Sequence, residues 1–202
     1  MEKKFYFLII LTFLIMVFGG ISLWSKYAQK EDDWLPAVRF EPPENYVFVD
    51  TDQGKIVENK TAGIRFKVPN NWTVDKKEID TDEWIINLLS PNAKLDDSGL
   101  LQKGCGISAY IQYDKIMADR IKFRIQNPDK ASAEVSGGYK ELKIGDKKAL
   151  ETTLENPEWG QAVSVEIPEN DKIYTFETRF LPKDTEGCSL QFKQFLGGIS
   201  TQ

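Results

Sequence analysis

The stretch VSVEIPENDKIYTFETRFL, residues 163–181, decides the fold of this chain. From Val163 to Ile167, apolar and polar residues alternate with the period of two that is typical of a strand with one buried face. Residues 173–181 alternate in a similar way, and the Pro-Glu-Asn at 168–170 favours a turn between the two runs. Two successive strands joined by a short turn predict an antiparallel hairpin.

Alternating patterns of the same kind extend outward from this hairpin over most of the chain beyond residue 47. Turn-favouring groups such as the Pro-Asn-Asn at 69–71 separate the runs. Because strands that follow one another through short turns pair with their neighbours, the pattern predicts an antiparallel sheet. The clearest further strand candidates are residues 64–68, 84–89, 107–113 and 150–154.

Two stretches have helical periodicity instead. Residues 114–126 place apolar side chains four apart and begin at Asp114, a residue type that favours helix N-caps. Residues 185–196 place Cys188 and Phe192 on one face and stop before a Gly-Gly pair. An antiparallel sheet with helices packed against it is predicted, which is the α+β fold class.

Four local signals follow one another in a characteristic order. They are GIRFKVP at residues 63–69 with Trp72 after it, LKIGDKKA at residues 142–149, a hairpin over residues 167–176, and a closing helix with Phe192, Phe195 and Leu196. In this order they resemble the PsbP fold family, named for the extrinsic subunit of photosystem II, over about residues 55–200. The resemblance implies a PsbP-like α+β domain with an adaptor, assembly or scaffold role. The histidine ligands of some relatives have no counterpart here, so the resemblance implies no metal site.

The N-terminal segment is uncharged and apolar from residue 5 to residue 24, reading FYFLIILTFLIMVFGGISLW. At a rise of roughly 1.5 Å per residue, the uncharged span between Lys4 and Lys26 is long enough to cross a hydrocarbon core of about 30 Å. The alternative is a cleaved secretory signal, for which Gly20 and Ser22 supply small residues near a cleavage site. Either interpretation sends the downstream chain out of the cytoplasm.

The predicted organisation therefore has three parts. A cytoplasmic tip and transmembrane signal-anchor helix occupy residues 1–25, and a stalk rich in charge and proline occupies residues 26–45. An extracytoplasmic PsbP-like domain occupies residues 46–202. We expect a single-pass protein of the cell membrane with its C-terminal domain outside the cytoplasm, or a secreted domain if the signal is cleaved.

Composition excludes several classes of function. The formal net charge of −5 disfavours binding to phosphate backbones, so no nucleic-acid partner is predicted. The chain has no histidine, which removes the commonest general base and the commonest metal ligand. Serine-lysine hydrolases, paired-carboxylate glycosidases and all-oxygen cation sites remain compatible with this composition.

The chain has two cysteines, Cys105 and Cys188. In an oxidising compartment, two cysteines without a third suggest one structural disulfide. The alternatives are two separate buried thiols and a redox-active pair. Because reactive pairs usually lie close together in sequence, the structural disulfide is favoured.

Acidic turns are the remaining candidates for a cation site. DTDQG at residues 50–54 begins like a calcium loop, but Lys55 replaces the glycine of the sixth position and Thr61 the glutamate of the twelfth. We therefore predict a solvated turn rather than a binding loop. The same prediction applies to the other acidic turns, which contain Asp80, Asp82, Glu83, Asp96 and Asp97.

The leading functional prediction is a membrane-tethered, non-enzymatic interaction or scaffold module. It would contact the lipid bilayer through its N-terminal helix and bind an envelope or surface protein. The alternative is an extracytoplasmic domain that senses a small ligand or a cation, and a hydrolase is the third possibility. No catalytic residue and no cofactor are predicted, and the sequence identifies no small-molecule ligand.

Overall fold

The strands predicted from alternating apolar residues pair into one large antiparallel sheet. The computed structural model describes residues 38–52, 54–127, 138–156 and 160–201. From one edge to the other, the strands are β10 (Tyr139–Ile144), β11 (Lys147–Asn156), β12 (Gly160–Glu169), β13 (Lys172–Phe180), β9 (Gly106–Tyr113), β6 (Glu83–Leu89) and β5 (Thr73–Asp80), with β1 (Arg39–Phe40) also paired to β9.

A second, smaller antiparallel sheet and two helices complete the described part of the chain. The smaller sheet runs in the order β14 (Ile199–Thr201), β4 (Ile64–Lys67), β3 (Gly54–Asn59) and β2 (Val47–Thr51). A short ribbon is formed by β7 (Lys94–Leu95) and β8 (Leu101–Lys103). The helices are α1 (Lys115–Gln126) and α2 (Thr185–Gly197), and a 3-10 turn spans Pro43–Asn45.

The main core contains side chains from both sheets and from α2. Three phenylalanines meet at its centre: Phe66 of β4, Phe176 of β13 and Phe195 of α2. Their ring centroids are 5.5 to 5.9 Å apart in edge-to-face pairs, an arrangement that favours aromatic contact beyond simple area burial. The core therefore joins the two sheets and the closing helix at one point.

Helix α1 packs against the opposite face of the large sheet. Ala118, Ile121 and Ile125 are buried there against Leu150 of β11 and Ile173 of β13. As the sequence predicts, the carboxylate of the preceding aspartate caps the helix and accepts a hydrogen bond from the third backbone amide after it, at 2.9 Å. The helix covers only one end of this face.

The segment before β2, part of the predicted stalk, lies within the compact unit of residues 38–202. Its anchor is Glu41, which is only 2% exposed and whose backbone amide donates to Ile111 of β9 at 2.9 Å. The Glu41 carboxylate accepts hydrogen bonds from the Tyr113 hydroxyl and from the Asn45 side-chain amide. These two donors satisfy much of the hydrogen-bonding capacity of the buried carboxylate, which offsets the cost of its burial. The same contacts hold the segment against the sheet.

The predicted fold class, an α+β domain behind an N-terminal transmembrane helix, is corrected by the structure. The described residues form mainly antiparallel sheet with two short helices of 12 and 13 residues. In this part of the chain, no helix combines the length and apolarity needed to cross a membrane. The period of two dominates the described sequence, so strands outweigh helices. The predicted spanning segment and residues 26–37 of the predicted stalk lie outside the described residues.

Candidate functional site

A groove runs along the part of the large sheet that α1 leaves uncovered. Its floor is a row of polar side chains contributed by five neighbouring strands, which strand pairing brings side by side. The cavity has a volume of about 440 Å³, within the range of ligand sites of roughly 300 to 1,000 Å³. The row consists of Asn87, Ser108, Glu177, Ser164 and Thr152, and we call this cavity with its row the open-face groove.

The polar row exists because successive side chains of a strand point to opposite faces of the sheet. One set of side chains faces the core, and the set between them faces the groove. On β9, Ile107 and Ala109 point into the core, so Ser108 between them points into the groove. The same reasoning applies to Ser164 between two buried valines on β12. One face of each strand therefore builds the core while the other face builds the floor.

Leucine side chains form the rim of the open-face groove. Leu95 and Leu100 belong to the β7–β8 ribbon and are 40% and 54% exposed, and Leu154 of β11 is 45% exposed. Asp96 shapes the ribbon by accepting hydrogen bonds from Ser98 and from the Leu100 backbone amide. The Ser98 hydroxyl bond, followed by the backbone bond, lowers the pKa of Asp96 to about 2. The result is an apolar rim above a polar floor.

Charged side chains lie both in the groove lining and beyond it. Two basic side chains, Arg179 and Lys77, lie towards the ribbon. Arg179 is two residues beyond Glu177 on β13. Lys77 is close to Gly99, since a Cβ added to that glycine would lie 2.7 Å from the Lys77 Nζ. Towards α1, beyond the lining of the groove, the same face of β12 carries the acidic Glu166, two residues after Ser164. Among the described residues, the groove lining therefore holds one acidic side chain, Glu177, and two basic ones, Arg179 and Lys77.

Four neighbouring side chains on this face of the sheet form what we call the acidic cluster: Glu177, which lines the groove, and Glu166, Tyr110 and Thr175, which lie beyond its lining. The Tyr110 hydroxyl donates to the Glu177 carboxylate at 2.9 Å. Thr175 is the cross-strand neighbour of both Tyr110 and Glu166. Its hydroxyl is buried beside the Tyr110 phenol and makes no hydrogen bond of good geometry.

Burial chiefly controls the ionisation of this cluster. Desolvation, reinforced by the negative charge of Glu177, raises the pKa of Glu166 to about 7, although Arg124 of α1 acts in the opposite direction. Burial likewise raises the pKa of Tyr110, with Glu177 adding to the effect. Near neutral pH, Glu166 therefore holds its proton part of the time.

Glu166→Gln should increase the free energy of unfolding at pH 8 by about 1 to 3 kcal/mol and change it little near pH 4. The folded-state pKa of Glu166 lies above its ordinary value of 4.5. The stability that its proton contributes is therefore fully present below about pH 4.5 and is lost as the pH rises through about 7. Glutamine imitates the protonated acid at every pH. Urea unfolding at both pH values would measure the difference.

Glu78→Gln on the exposed side of β5 is the matched control, because that side chain is open to water. We expect it to change the free energy of unfolding by no more than about 0.5 kcal/mol, as is usual for a surface substitution. An equal effect of Glu166→Gln at pH 4 and pH 8 would contradict the raised pKa.

The structure joins the predicted pair Cys105 and Cys188 in a disulfide, with the Cα atoms 5.4 Å apart. The bond connects the residue before β9 to the first turn of α2. The neighbouring Gly104 has φ +78°, and its backbone amide donates to the Asp184 carboxylate at 3.0 Å. A Cβ at Gly104 would lie 2.8 Å from the Ala93 Cα, so only glycine fits this turn.

The acidic turns suggested by the sequence do not converge. Asp50 lies in the β2–β3 hairpin with Lys55 at 3.8 Å, and Asp80 caps the β5–β6 turn by accepting from the Thr81 amide. Among the described residues, no three histidine, cysteine or acidic side chains are grouped closely enough to hold a metal ion. These turns therefore offer no binding geometry of their own.

Sequence reasoning missed the open-face groove and its acidic cluster. The available signal was the polar half of each alternating strand, which includes Ser108, Ser164 and Glu166. That signal could show which side chains leave the core. It could not show that they become neighbours, because their proximity depends on the register of five strands.

Comparisons with known proteins place the chain in no family. No protein-family model matches it, and no curated protein matches its sequence. Solved structures with a similar backbone include a Bacteroides thetaiotaomicron protein, 10% identical with a TM-score of 0.42, and LpqN, which is involved in cell envelope biogenesis of Mycobacterium tuberculosis, 12% identical with a TM-score of 0.47.

The extent of these two matches differs. The first covers 69% of this chain and 45% of the Bacteroides protein, so the chain spans less than half of that protein's length. The second covers 83% of this chain and 93% of LpqN. At these identities and TM-scores, neither likeness carries an inference about function. The resemblance to the PsbP family stays a prediction.

Proposed function

We propose that this protein is a non-catalytic, extracytoplasmic binding domain whose open-face groove holds a small amphipathic molecule. The observation that supports the proposal is the combination of a polar floor with a leucine rim in one cavity of about 440 Å³. Small-molecule sites are typically concave and apolar with a few convergent polar groups. The proposal develops the small-ligand alternative from the sequence.

The exposed leucines are the reason to expect an amphipathic ligand rather than a fully polar one. Leu95, Leu100 and Leu154 leave apolar surface in contact with water around a single cavity. An alkyl or ring portion of a ligand would cover this surface, and its polar portion would face the serine and asparagine side chains below. Burial of apolar surface contributes roughly 25 cal/mol per Å², so even partial coverage favours binding.

The proposed location outside the cytoplasm is supported by the disulfide between Cys105 and Cys188. Disulfides persist in oxidising compartments and are rare in the cytosol. The adaptor or scaffold role, the envelope protein partner and the hydrolase alternative stay predictions from the sequence. The groove favours none of them, since it offers a small cavity rather than a broad surface.

A groove-blocking variant tests the proposal. Ser164→Trp should fill the floor and weaken binding of N-phenyl-1-naphthylamine, an uncharged amphipathic dye, at least tenfold in a fluorescence titration. Ser200→Trp is the matched control, because Ser200 is exposed on β14 of the smaller sheet; it should leave the affinity within twofold. Absence of saturable dye binding by the unmodified protein, or equal weakening by both variants, would refute the proposed function.

A further inference from the structure

A second cavity, with a volume of about 350 Å³, lies between the end of β4 and one side of α2. Within the described part of the chain, it shares no lining residue with the open-face groove. Its lining includes three amide side chains, Asn70, Gln191 and Gln194, together with Trp72 and Lys67. We call this cavity the amide pocket. Its volume is within the range of small-molecule sites, roughly 300 to 1,000 Å³.

The fold brings the three amides together from two places in the chain. Gln191 and Gln194 are three residues apart on α2, so they lie on the same side of that helix. Asn70 belongs to the turn after β4, in which the Trp72 backbone amide donates to the Pro69 carbonyl at 3.1 Å. Strand β14, which follows α2, pairs with β4 and so places the end of the helix beside this turn.

The hydrogen-bonding capacity of these amides is not used within the protein. None of the three side chains forms a hydrogen bond with a described residue. For Gln191 this is unfavourable, because its side-chain oxygen Oε1 is buried and has no donor in the described part of the chain. A buried acceptor without a donor is costly. A hydroxyl group bound in the cavity beside Gln191 would supply the missing donor.

Trp72 contributes apolar surface to the same cavity. Its side chain is half-buried, since it packs against the main core and also lines the amide pocket. An indole combines a flat apolar face with one N–H donor. Gly198 leaves the neighbouring wall open, because a Cβ there would lie 3.7 Å from the Lys67 Cβ. The pocket therefore offers an aromatic surface next to amide groups.

The charge of the lining disfavours a cationic ligand. The chain has 31 acidic residues, yet none of the described residues that line the amide pocket carries a carboxylate. Lys67 is the charged side chain of this lining, and it would repel a second positive charge. Recognition in the pocket therefore depends on neutral hydrogen-bonding groups.

We infer that the amide pocket binds a neutral saccharide. Each hydroxyl group of a sugar both donates and accepts hydrogen bonds, and each side-chain amide has two N–H donors and a carbonyl acceptor. Sugar hydroxyls therefore pair with Asn70, Gln191 and Gln194 in both directions. The apolar C–H face of a sugar ring packs against Trp72. This site is separate from the open-face groove, so its test does not depend on the proposed function.

Calorimetric titration of the full-length protein with maltotriose and with chitotriose tests the inference. We expect saturable binding of at least one of these neutral trisaccharides. In heteronuclear NMR spectra, the indole N–H resonance of Trp72 should shift on binding, whereas that of Trp84, which lies outside the pocket lining, should not. Absence of saturable binding for both sugars, or binding that leaves the Trp72 resonance unchanged, would overturn the inference.

Leucine variants locate the sugar, because leucine is close to glutamine in size and has no amide. Gln191→Leu and Gln194→Leu should each weaken the affinity for the bound trisaccharide at least fivefold. Gln126→Leu, at an exposed position of α1, is the matched control and should leave the affinity within twofold. Circular dichroism verifies folding, and the exposed position of Gln194 makes that variant informative even if Gln191→Leu fails to fold. Unchanged affinity in folded Gln194→Leu would overturn the inference.

The groove-blocking variant Ser164→Trp separates the two cavities. It should leave the trisaccharide affinity within twofold, because Ser164 lines the open-face groove and not the amide pocket. Gln194→Leu should in turn leave the affinity for N-phenyl-1-naphthylamine within twofold. Loss of trisaccharide binding in folded Ser164→Trp would place the sugar in the open-face groove and overturn the inference of a separate saccharide site.

Discussion

Replacing Phe176 with alanine is expected to lower the free energy of unfolding by about 3 to 5 kcal/mol. Phe176 is 1% exposed and lies between Phe66 of the smaller sheet and Phe195 of α2, with ring centroids 5.9 and 5.6 Å away. Truncation removes the transfer free energy of the ring and leaves a cavity that the flanking sheets cannot fully close. Two edge-to-face contacts are lost with it.

Urea unfolding followed by tryptophan fluorescence would measure the loss. Phe123→Ala is the matched control, because Phe123 is 54% exposed on α1 and the same atoms are removed. We expect that control to change the free energy of unfolding by no more than about 0.5 kcal/mol. A similar loss in both variants would mean that the aromatic cluster is not the centre of the core.

Removing the disulfide is expected to lower the free energy of unfolding by about 2 to 5 kcal/mol. The bond joins residues separated by 83 positions, so it restricts a large loop of the unfolded chain. It also holds the first turn of α2 next to β9, where Cys188 is 2% exposed. Replacing Cys105 and Cys188 together with alanine avoids leaving a free thiol that could form other bonds.

Unfolding of the double variant should be compared with that of the unmodified protein reduced by dithiothreitol. The two should have similar stabilities, and the double variant should be insensitive to the reductant. At low temperature the variant should keep its affinity for N-phenyl-1-naphthylamine, because neither cysteine lines the groove. A folded double variant that no longer binds the dye would indicate a functional rather than a structural bond.

Much of the local structure was predictable, because it depends on short-range periodicity. The alternating apolar residues around Ile107 predict a strand, and β9 forms there. Asp114 caps α1, as its residue type favours. Strand β5 is a counterexample: its sequence TVDKKEID lacks regular apolar alternation, and it forms through pairing with β6 at the edge of the sheet. The helices predicted at residues 114–126 and 185–196 are present as α1 and α2, whereas the predicted fold class is wrong because the described residues form mainly antiparallel sheet and include no helix able to cross a membrane.

The open-face groove was not predictable for a different reason. Ser108, Glu177 and Ser164 come from three strands, and no spacing in the sequence relates β9 to β13. Their pairing skips α1 and three strands of the chain, so the row appears only after the sheet is assembled. A shift of one residue in any of these registers would send its polar side chain into the core.

The sequence by itself determined both helices and the strands with regular alternation, which face of each such strand is apolar, and which two cysteines could pair. These properties follow from the period of two, from capping preferences and from the presence of two thiols alone. Tertiary structure alone decided that Glu166 lies near Glu177, that burial raises the pKa of Glu166, and that leucines of a distant ribbon form the rim of the open-face groove. The physical reason is that desolvation and charge coupling depend on distance in space, which long-range strand register sets.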